Sequence, residues 1–198
     1  MMPQPEPIQG PGMRLRVGDR APAAALDDVD GRRLECSRPG TPAVVLFTRY
    51  VGCPVCQLHV ARIAAAMPEF RARSCGVWMV FQSSAEHLRA AMAEWRPGFS
   101  AVADPTARLY DAFAVEASVA GYLAPRSLLA LVHATMAGKR HGRFEGRETQ
   151  LPAAFVLAPA GRIAFAHFGR SIGDDAPIPA LLGAVDSTNR DASARTPP

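Results

Sequence analysis

The hydrophobic period of the chain changes abruptly at Gly52-Cys53-Pro54-Val55-Cys56. Before this point, Ala43-Val44-Val45-Leu46-Phe47-Thr48 is a continuous apolar run with β-branched residues, the pattern of a strand covered on both faces. After it, Cys56, Val60, Ile63, Met67 and Phe70 recur at helical spacing and make one buried stripe on a helix from Pro54 to about Arg73. Pro54 suits the first helical position, where a missing N–H costs nothing. A strand buried on both faces belongs in a sheet flanked by helices, so the junction points to an α/β domain.

The same junction carries chemistry. With Cys53 at the helix N-cap, its sulfur faces the unpaired N–H groups of the first turn and the positive end of the helix dipole. Both favour thiolate, so the Cys53 pKa is expected to fall below ~8.5, and the thiolate is the nucleophilic form. Cys56 lies three residues on, on the same face and one turn inward, where it begins the buried stripe. This position predicts an exposed attacker, Cys53, and a shielded resolver, Cys56. The competing reading is a pair of zinc ligands. A structural site needs four ligands, Cys36 and Cys75 are isolated, and adding His59 still leaves one missing. Haem attachment would need His after the second cysteine, where Gln57 stands.

The remaining elements follow from turns and caps. Asp30-Gly31 signals a hairpin with strands near 23–27 and 32–36. Val77–Gln82 reads as a strand, Ser83 with Glu86 fits a capping box, and Leu88, Met92 and Trp95 carry the next helical stripe. Phe99–Ala103 is a short strand, and Asp104-Pro105 opens a helix through Leu109 and Phe113. Pro125–Ala137 is a helix, apolar almost all round and ended by Gly138, that is either core or a homodimer surface. Ala153–Leu157 and Ile163–Phe168 form a hairpin about Pro159-Ala160-Gly161, and Ile178–Val185 is a closing helix. The order predicts one domain with a central mixed sheet, parallel early and antiparallel late, over residues 14–186. Residues 1–13, rich in proline, read as a flexible leader, and 187–198 as a flexible tail.

Composition closes off other classes. Four cysteines in 198 residues are too few for a disulfide framework, and 48% hydrophobic residues can bury a core. The net charge of +4 comes without an aromatic-lined basic stripe, so nucleic acid is not an expected partner. No window approaches about 18 uninterrupted apolar residues, so no membrane span is expected. The N-terminus lacks the layout of a secretory signal, which makes the cytoplasm the expected compartment; a close cysteine pair there is more often catalytic or metal-binding than structural.

Four stretches, VGDRAPAAALDDVDGRRLEC, VVLFTRYVGCPVCQLHVARI, ADPTARLYDAFAV and QLPAAFVLAPAGRIAFAHFGRSIGDDAP, give the chain a resemblance to the peroxiredoxin-like proteins of the AhpC/TSA group, in the bacterial branch that carries C-x-x-C. The resemblance runs from about Val17 to Val185. It implies a thioredoxin-like fold with an N-terminal β-hairpin extension, Cys53 as nucleophile, Cys56 as its partner, and Pro152 as a cis-proline facing them. It also implies reduction of peroxides or disulfides with electrons from a thioredoxin-like or low-molecular-weight thiol reductant, and no cofactor. Members typically carry P-x-x-x-T-x-x-C. Here Leu46 and Tyr50 stand at the proline and threonine, with Thr48 and Arg49 beside them out of register. Tyr50 or Arg49 is left to polarise an O–O bond.

Other residues weigh less. Arg126, near a helix start, could stabilise a thiolate or an anionic substrate, although a solvated surface cation is the plainer reading. The basic segment Lys139, Arg140, His141, Arg143 and Arg147, offset by Glu145 and Glu148, reads as a solvated loop. His59 is expected to face solvent or a neighbour, His167 to be structural, and Cys75 to be a small buried residue, with Cys36 open. The leading function is a thiol-dependent oxidoreductase; the alternative is a non-catalytic redox sensor or binding module.

Overall fold

A computed structural model describes residues 14–195; the expected leader, 1–13, and residues 196–198 lie outside them. Two short antiparallel strands, β1 (Ala25–Asp27) and β2 (Arg33–Glu35), form the N-terminal hairpin. A five-stranded sheet follows, built from β3 (Ala43–Phe47), β4 (Gly76–Phe81), β5 (Ser100–Ala103), β6 (Ala153–Leu157) and β7 (Ile163–Phe168) in the spatial order β5-β4-β3-β6-β7. β3, β4 and β5 run parallel, while β6 and β7 join antiparallel. This is the expected mixed sheet, and its central strand β3 leads directly to the cysteines.

Alternation along β3 explains the two-sided core. Val44 and Leu46 face α1 (Pro54–Ala72), α2 (Ala85–Trp95) and α6 (Ile178–Arg195), packing with Val60, Ile63 and Leu181. Val45 and Phe47 face the other side, where α3 (Arg108–Ala112), the segment after it and the hairpin supply Tyr110, Phe113 and Leu34. All five stripe residues of α1, from Cys56 to Phe70, are buried. A third, smaller cluster joins Tyr50, Cys53, Val55 and Cys56 to Ala134 of α5 (Pro125–Met136) and to Ile172.

Four details depart from expectation. The last helix does not close at Val185 but runs to Arg195, taking in most of the expected tail. Long-range contacts hold it there: Thr188 is buried, Arg73 pairs with Asp186 at 2.8 Å, and the Asn189 amide donates to the Arg73 carbonyl at 3.0 Å. The cap of α2 is Ser84, which accepts from the His87 N–H, because Ser83 is buried and accepts from the Val51 N–H instead. A one-turn helix, α4 (Val119–Tyr122), was not foreseen. The helix expected to open at Asp104-Pro105 starts instead at Arg108, with Ala107 as N-cap, and the Asp104 carboxylate, four and five residues back, accepts from the Arg108 and Leu109 N–H groups. Among the described residues no helix is long and apolar enough to cross a membrane.

Ile63 is fully buried at the middle of the α1 stripe. Ile63→Ala is expected to lower the unfolding free energy by about 2–5 kcal/mol, read as a lower urea midpoint at unchanged slope.

Candidate active site

Beyond the end of β3 the chain continues as Thr48-Arg49-Tyr50, turns at Val51-Gly52 and enters α1 at Pro54. Local bonds fix this turn. The Thr48 N–H donates to the Val80 carbonyl at 3.1 Å, the Val51 N–H to Ser83 Oγ at 3.0 Å, and the Cys53 N–H to the Tyr50 carbonyl at 3.1 Å. Cys53 is the N-cap of α1, as the sequence implies, and its sulfur accepts from the Cys56 N–H at 3.2 Å. Its backbone is extended at φ −79°, ψ 120°, which suits an N-cap.

Two more donors converge on the same sulfur. Arg49 Nη2 lies 2.9 Å from Cys53 Sγ, and the Cys56 thiol 2.7 Å from it. Arg49 is itself held by Glu148, with Nη1 donating to the Glu148 carbonyl at 2.9 Å and to its Oε2 at 3.2 Å. Burial opposes the charge on Arg49, but Cys56, Cys53, Tyr50 and Glu148 outweigh it and keep the guanidinium protonated. The two thiols titrate as one pair. Burial resists ionisation of Cys56, yet its hydrogen bond with Cys53, the Arg49 charge and a hydrogen bond with Thr48 pull it down to about 6. Burial, the hydrogen bond with Cys56 and repulsion from its charge push the Cys53 thiol well above the ordinary range, against the fall that its N-cap position predicts, so the low ionisation of the pair falls on Cys56. The pair thus loses one proton readily and holds the second.

A second expectation about the pair is corrected. Cys53 is not exposed: it has 0% relative exposure, and Cys56 has 6%. The cause is the segment 139–149, which folds over the turn instead of lying in solvent. The Gly142 N–H donates to the Gly52 carbonyl at 2.8 Å, and a Cβ on Gly52 would sit 2.3 Å from the Arg143 carbonyl oxygen. His141 Nε2 meets the Tyr50 hydroxyl at 3.1 Å, His87 Nδ1 meets Glu145 Oε2 at 2.8 Å, and the Arg147 N–H donates to Gln82 Oε1 at 2.6 Å. Burial opposes ionisation of Glu145, but hydrogen bonds with Ser83 and His87 hold its carboxyl below the usual range.

Pro152 is a third correction. Among the described residues no peptide bond is cis, so Pro152 is an ordinary trans proline at a strand start. The flanking backbone is satisfied in that form: the Leu151 N–H donates to the Glu116 carbonyl and the Pro152 carbonyl accepts from Gly169. Pro152 still lines a small crevice together with Cys56, Thr48 and Gln150. Thr48, Arg49 and Tyr50 are all buried beside the sulfurs, and burial, with Glu148 next, pushes the Tyr50 phenol up. Arg126 lies elsewhere, on an outer cleft between α1 and α5, and none of the hydrogen bonds to the sulfurs comes from it. His59 is buried, with Nδ1 3.1 Å from Asp175 Oδ1, and His167 meets the Asp174 carbonyl at 2.8 Å. Cys36 and Cys75 are buried free thiols, each pushed up to about 12 chiefly by burial.

A cavity of about 330 Å³ opens beside the pair. Its walls are mainly apolar, from Tyr122, Leu123, Leu128, Leu131 and Ile172, and its polar lining includes Arg49, His141 and Glu148. Pro54 and Val55 of α1 complete it. Arg49 Nε and Glu148 Oε1 are buried and have no hydrogen-bond partner among the described residues. Sequence reasoning missed Glu148, 99 residues from Arg49, and His141, 91 residues from Tyr50. The available signal was Gly142 and Gly146 inside an otherwise charged segment; Gly146, at φ 66°, would place a Cβ 2.2 Å from Gln82 Oε1. Among the described residues no group of three or more His, Cys, Asp or Glu side chains is arranged to hold a metal ion.

The family model described as AhpC/TSA family matches residues 17–166. The chain belongs to the AhpC/TSA family. Solved structures with the same fold include a peroxiredoxin-like protein from Aquifex aeolicus, 15% identical at a TM-score of 0.66 over 89% of this chain and 90% of that one. The bacterioferritin comigratory protein of Xanthomonas campestris is 17% identical at 0.60, covering 88% and 98%. Peroxidoxin BcpB from Mycobacterium tuberculosis is 12% identical at 0.60, covering 93% and 100%. No curated protein sequence matches the chain. In this AhpC/TSA protein the guanidinium at the sulfur comes from Arg49, four residues before Cys53.

Two outcomes test the geometry. Arg49→Met removes the cation that favours thiolate, so the first thiol ionisation, followed by absorbance at 240 nm, is expected to climb from about 6 into the ordinary range of about 8.5 or above. Gly52→Ala forces the covering segment away from the turn; alkylation of Cys53 by iodoacetamide is expected to accelerate about tenfold while circular dichroism is preserved.

Proposed function

We propose that the chain is a thiol-dependent oxidoreductase that reduces peroxides or disulfides through a Cys53/Cys56 dithiol–disulfide cycle. The observation that carries this reading is the convergence of Arg49 Nη2, the Cys56 N–H and the Cys56 thiol on Cys53 Sγ. The pair ionises once readily, chiefly on Cys56; with the remaining proton passed across the 2.7 Å between the sulfurs, Arg49 Nη2 and the Cys56 N–H hold the charge on Cys53, and Cys56 is in place to resolve whatever that thiolate becomes. Membership of the AhpC/TSA family supports the same reading.

With a peroxide ROOH, the Cys53 thiolate attacks one peroxide oxygen and the O–O bond breaks. The sulfur keeps that oxygen as a sulfenic acid, and RO⁻ takes a proton and leaves as ROH. Cys56 then attacks the Cys53 sulfur, an S–S bond forms, and the oxygen departs as water with the Cys56 proton. An external reductant, a thioredoxin-like protein or a low-molecular-weight thiol, returns both electrons. Arg49 Nε, a free donor, and Glu148 Oε1, a free acceptor, match the two needs of a hydroperoxide: one oxygen to be polarised and one O–H to be held. Both residues line the cavity, so a peroxide arriving through it meets the guanidinium that also holds Cys53. This arrangement supports Arg49 in the role usually taken by the family threonine.

The test is wild type against Cys53→Ser and Cys56→Ser, each given hydrogen peroxide and read by intact mass. Wild type is expected to lose two hydrogens, two protons with two electrons, as the disulfide. Cys56→Ser gains oxygen on Cys53, and Cys53→Ser gains neither. Equal reactivity of both cysteines overturns the assignment of roles, and oxidation in wild type that thiols cannot drive through repeated turnovers favours a sensor.

A further inference from the structure

A second opening lies on the other side of Val55 from the cavity. It is a cleft of about 210 Å³ between α1 and α5, carrying Arg62 from α1 and Arg126 and His133 from α5. Helical spacing brings these groups together: Leu58 and Arg62 are one turn apart on α1, and Arg126, Ala130 and His133 share one face of α5. The wall between them is apolar, from Val55, Leu58, Leu129 and Ala130. Among the described residues none of these three basic side chains has a hydrogen-bond or ion-pair partner. Arg14, Arg33, Arg49, Arg73 and Arg147, by contrast, each face a carboxylate. The carboxylate on the cleft, Asp175, already faces His59 at 3.1 Å. The cleft therefore presents two arginines against one carboxylate, a net positive charge, above an apolar wall.

Its position relates it to the sulfurs. Val55, Gly173 and Asp175 line both this cleft and the small crevice onto which Cys56 opens. Of the two cysteines, only Cys56 lines that crevice. Gly173 marks the junction of the two spaces. It has φ 80°, and a Cβ there would lie 2.7 Å from Ala130 Cβ and 3.3 Å from Val55 Cγ1. A larger residue would wedge α1 and α5 at that point. The oxidant cavity lies on the Arg49 side, so the pair has two approaches of opposite character, one apolar and one cationic.

We propose that the cleft binds the reductant of the Cys53–Cys56 disulfide, a low-molecular-weight thiol bearing carboxylates, with those carboxylates against Arg62 and Arg126 and the sulfur directed at Cys56. The inference rests on the dithiol cycle proposed above. In the first step the reductant thiolate attacks Cys56 Sγ. A mixed disulfide forms, the S–S bond to Cys53 breaks, and Cys53 leaves as the thiolate. That is the leaving group to which Arg49 and the Cys56 N–H donate, so it departs faster than an unassisted one. A second reductant thiolate attacks the reductant's own sulfur in the mixed disulfide, releasing the oxidised dimer and Cys56. The two protons of the two thiols end on the cysteine pair, and two electrons pass from two thiols to one disulfide.

Two measurements test it. The unreactive probe S-methylglutathione is titrated into the wild-type protein by calorimetry. Binding is expected, weakened about tenfold or more by Arg62→Ala or Arg126→Ala, restored in part by Arg62→Lys, and unaltered by the distant Arg38→Ala. Separately, the disulfide is formed with diamide and its reduction followed by stopped flow with mercaptosuccinate, 2-mercaptoethanol or a thioredoxin. Wild type is expected to prefer mercaptosuccinate over 2-mercaptoethanol, and that preference to fall about tenfold in either arginine variant. Absent binding, binding indifferent to both arginines, or a loss that appears with thioredoxin but not with mercaptosuccinate overturns the proposal. If diamide forms no Cys53–Cys56 disulfide, the dithiol reading fails on its own, and the titration still decides the cleft.

Discussion

The guanidinium of Arg49 is the interaction on which the site depends. It is buried and charged, and a buried charge is tolerated only when it is paired and hydrogen-bonded. Its partners come from opposite directions, the Cys53 sulfur on the helix that follows and Glu148 on a segment about a hundred residues later. Each partner is held in place by what Arg49 needs. The covering segment cannot leave without stranding that charge, and Cys53 cannot be parted from Arg49 without losing its donor. Folding, closure of the site and the charge beside the sulfur are thus one electrostatic arrangement.

The sheet makes this possible by where it ends. β3 is central and buried on both faces, so its last residues emerge at a fixed place between the two halves of the core. Thr48 and Arg49 follow within hydrogen-bond reach of β4 through the Val80 and Gln82 backbones, and α1 then starts with its positive end at Cys53. The antiparallel pair β6–β7 on the other side of β3 brings Gln150 and Pro152 to the same edge. The sulfurs therefore sit where four separate segments meet, which explains a cavity on one side and a cleft on the other.

Much of this was legible in the sequence where the physics is local. The apolar run, the 3.6-residue stripe and Pro54 placed the strand, the helix and the N-cap, because backbone geometry alone sets those periods. The AhpC/TSA stretches carried the fold and its order of strands. What escaped depended on distant partners. A charged segment such as 139–149 looks solvated until Arg49, Tyr50, Gln82 and His87 are seen to need its groups. The polar end of the last helix looks frayed until Arg73 bonds it.

By itself the sequence determined that two cysteines share one face of one helix, with the first at its N-terminus, because that follows from spacing. It also determined which elements alternate, since hydrophobic period reports burial. Only the tertiary structure decided that Cys53 is covered, that Arg49 and not a downstream arginine meets its sulfur, and that Pro152 is trans. Those outcomes turn on which buried charge and which backbone group find a partner across the fold, and sequence separation carries no information about such distances.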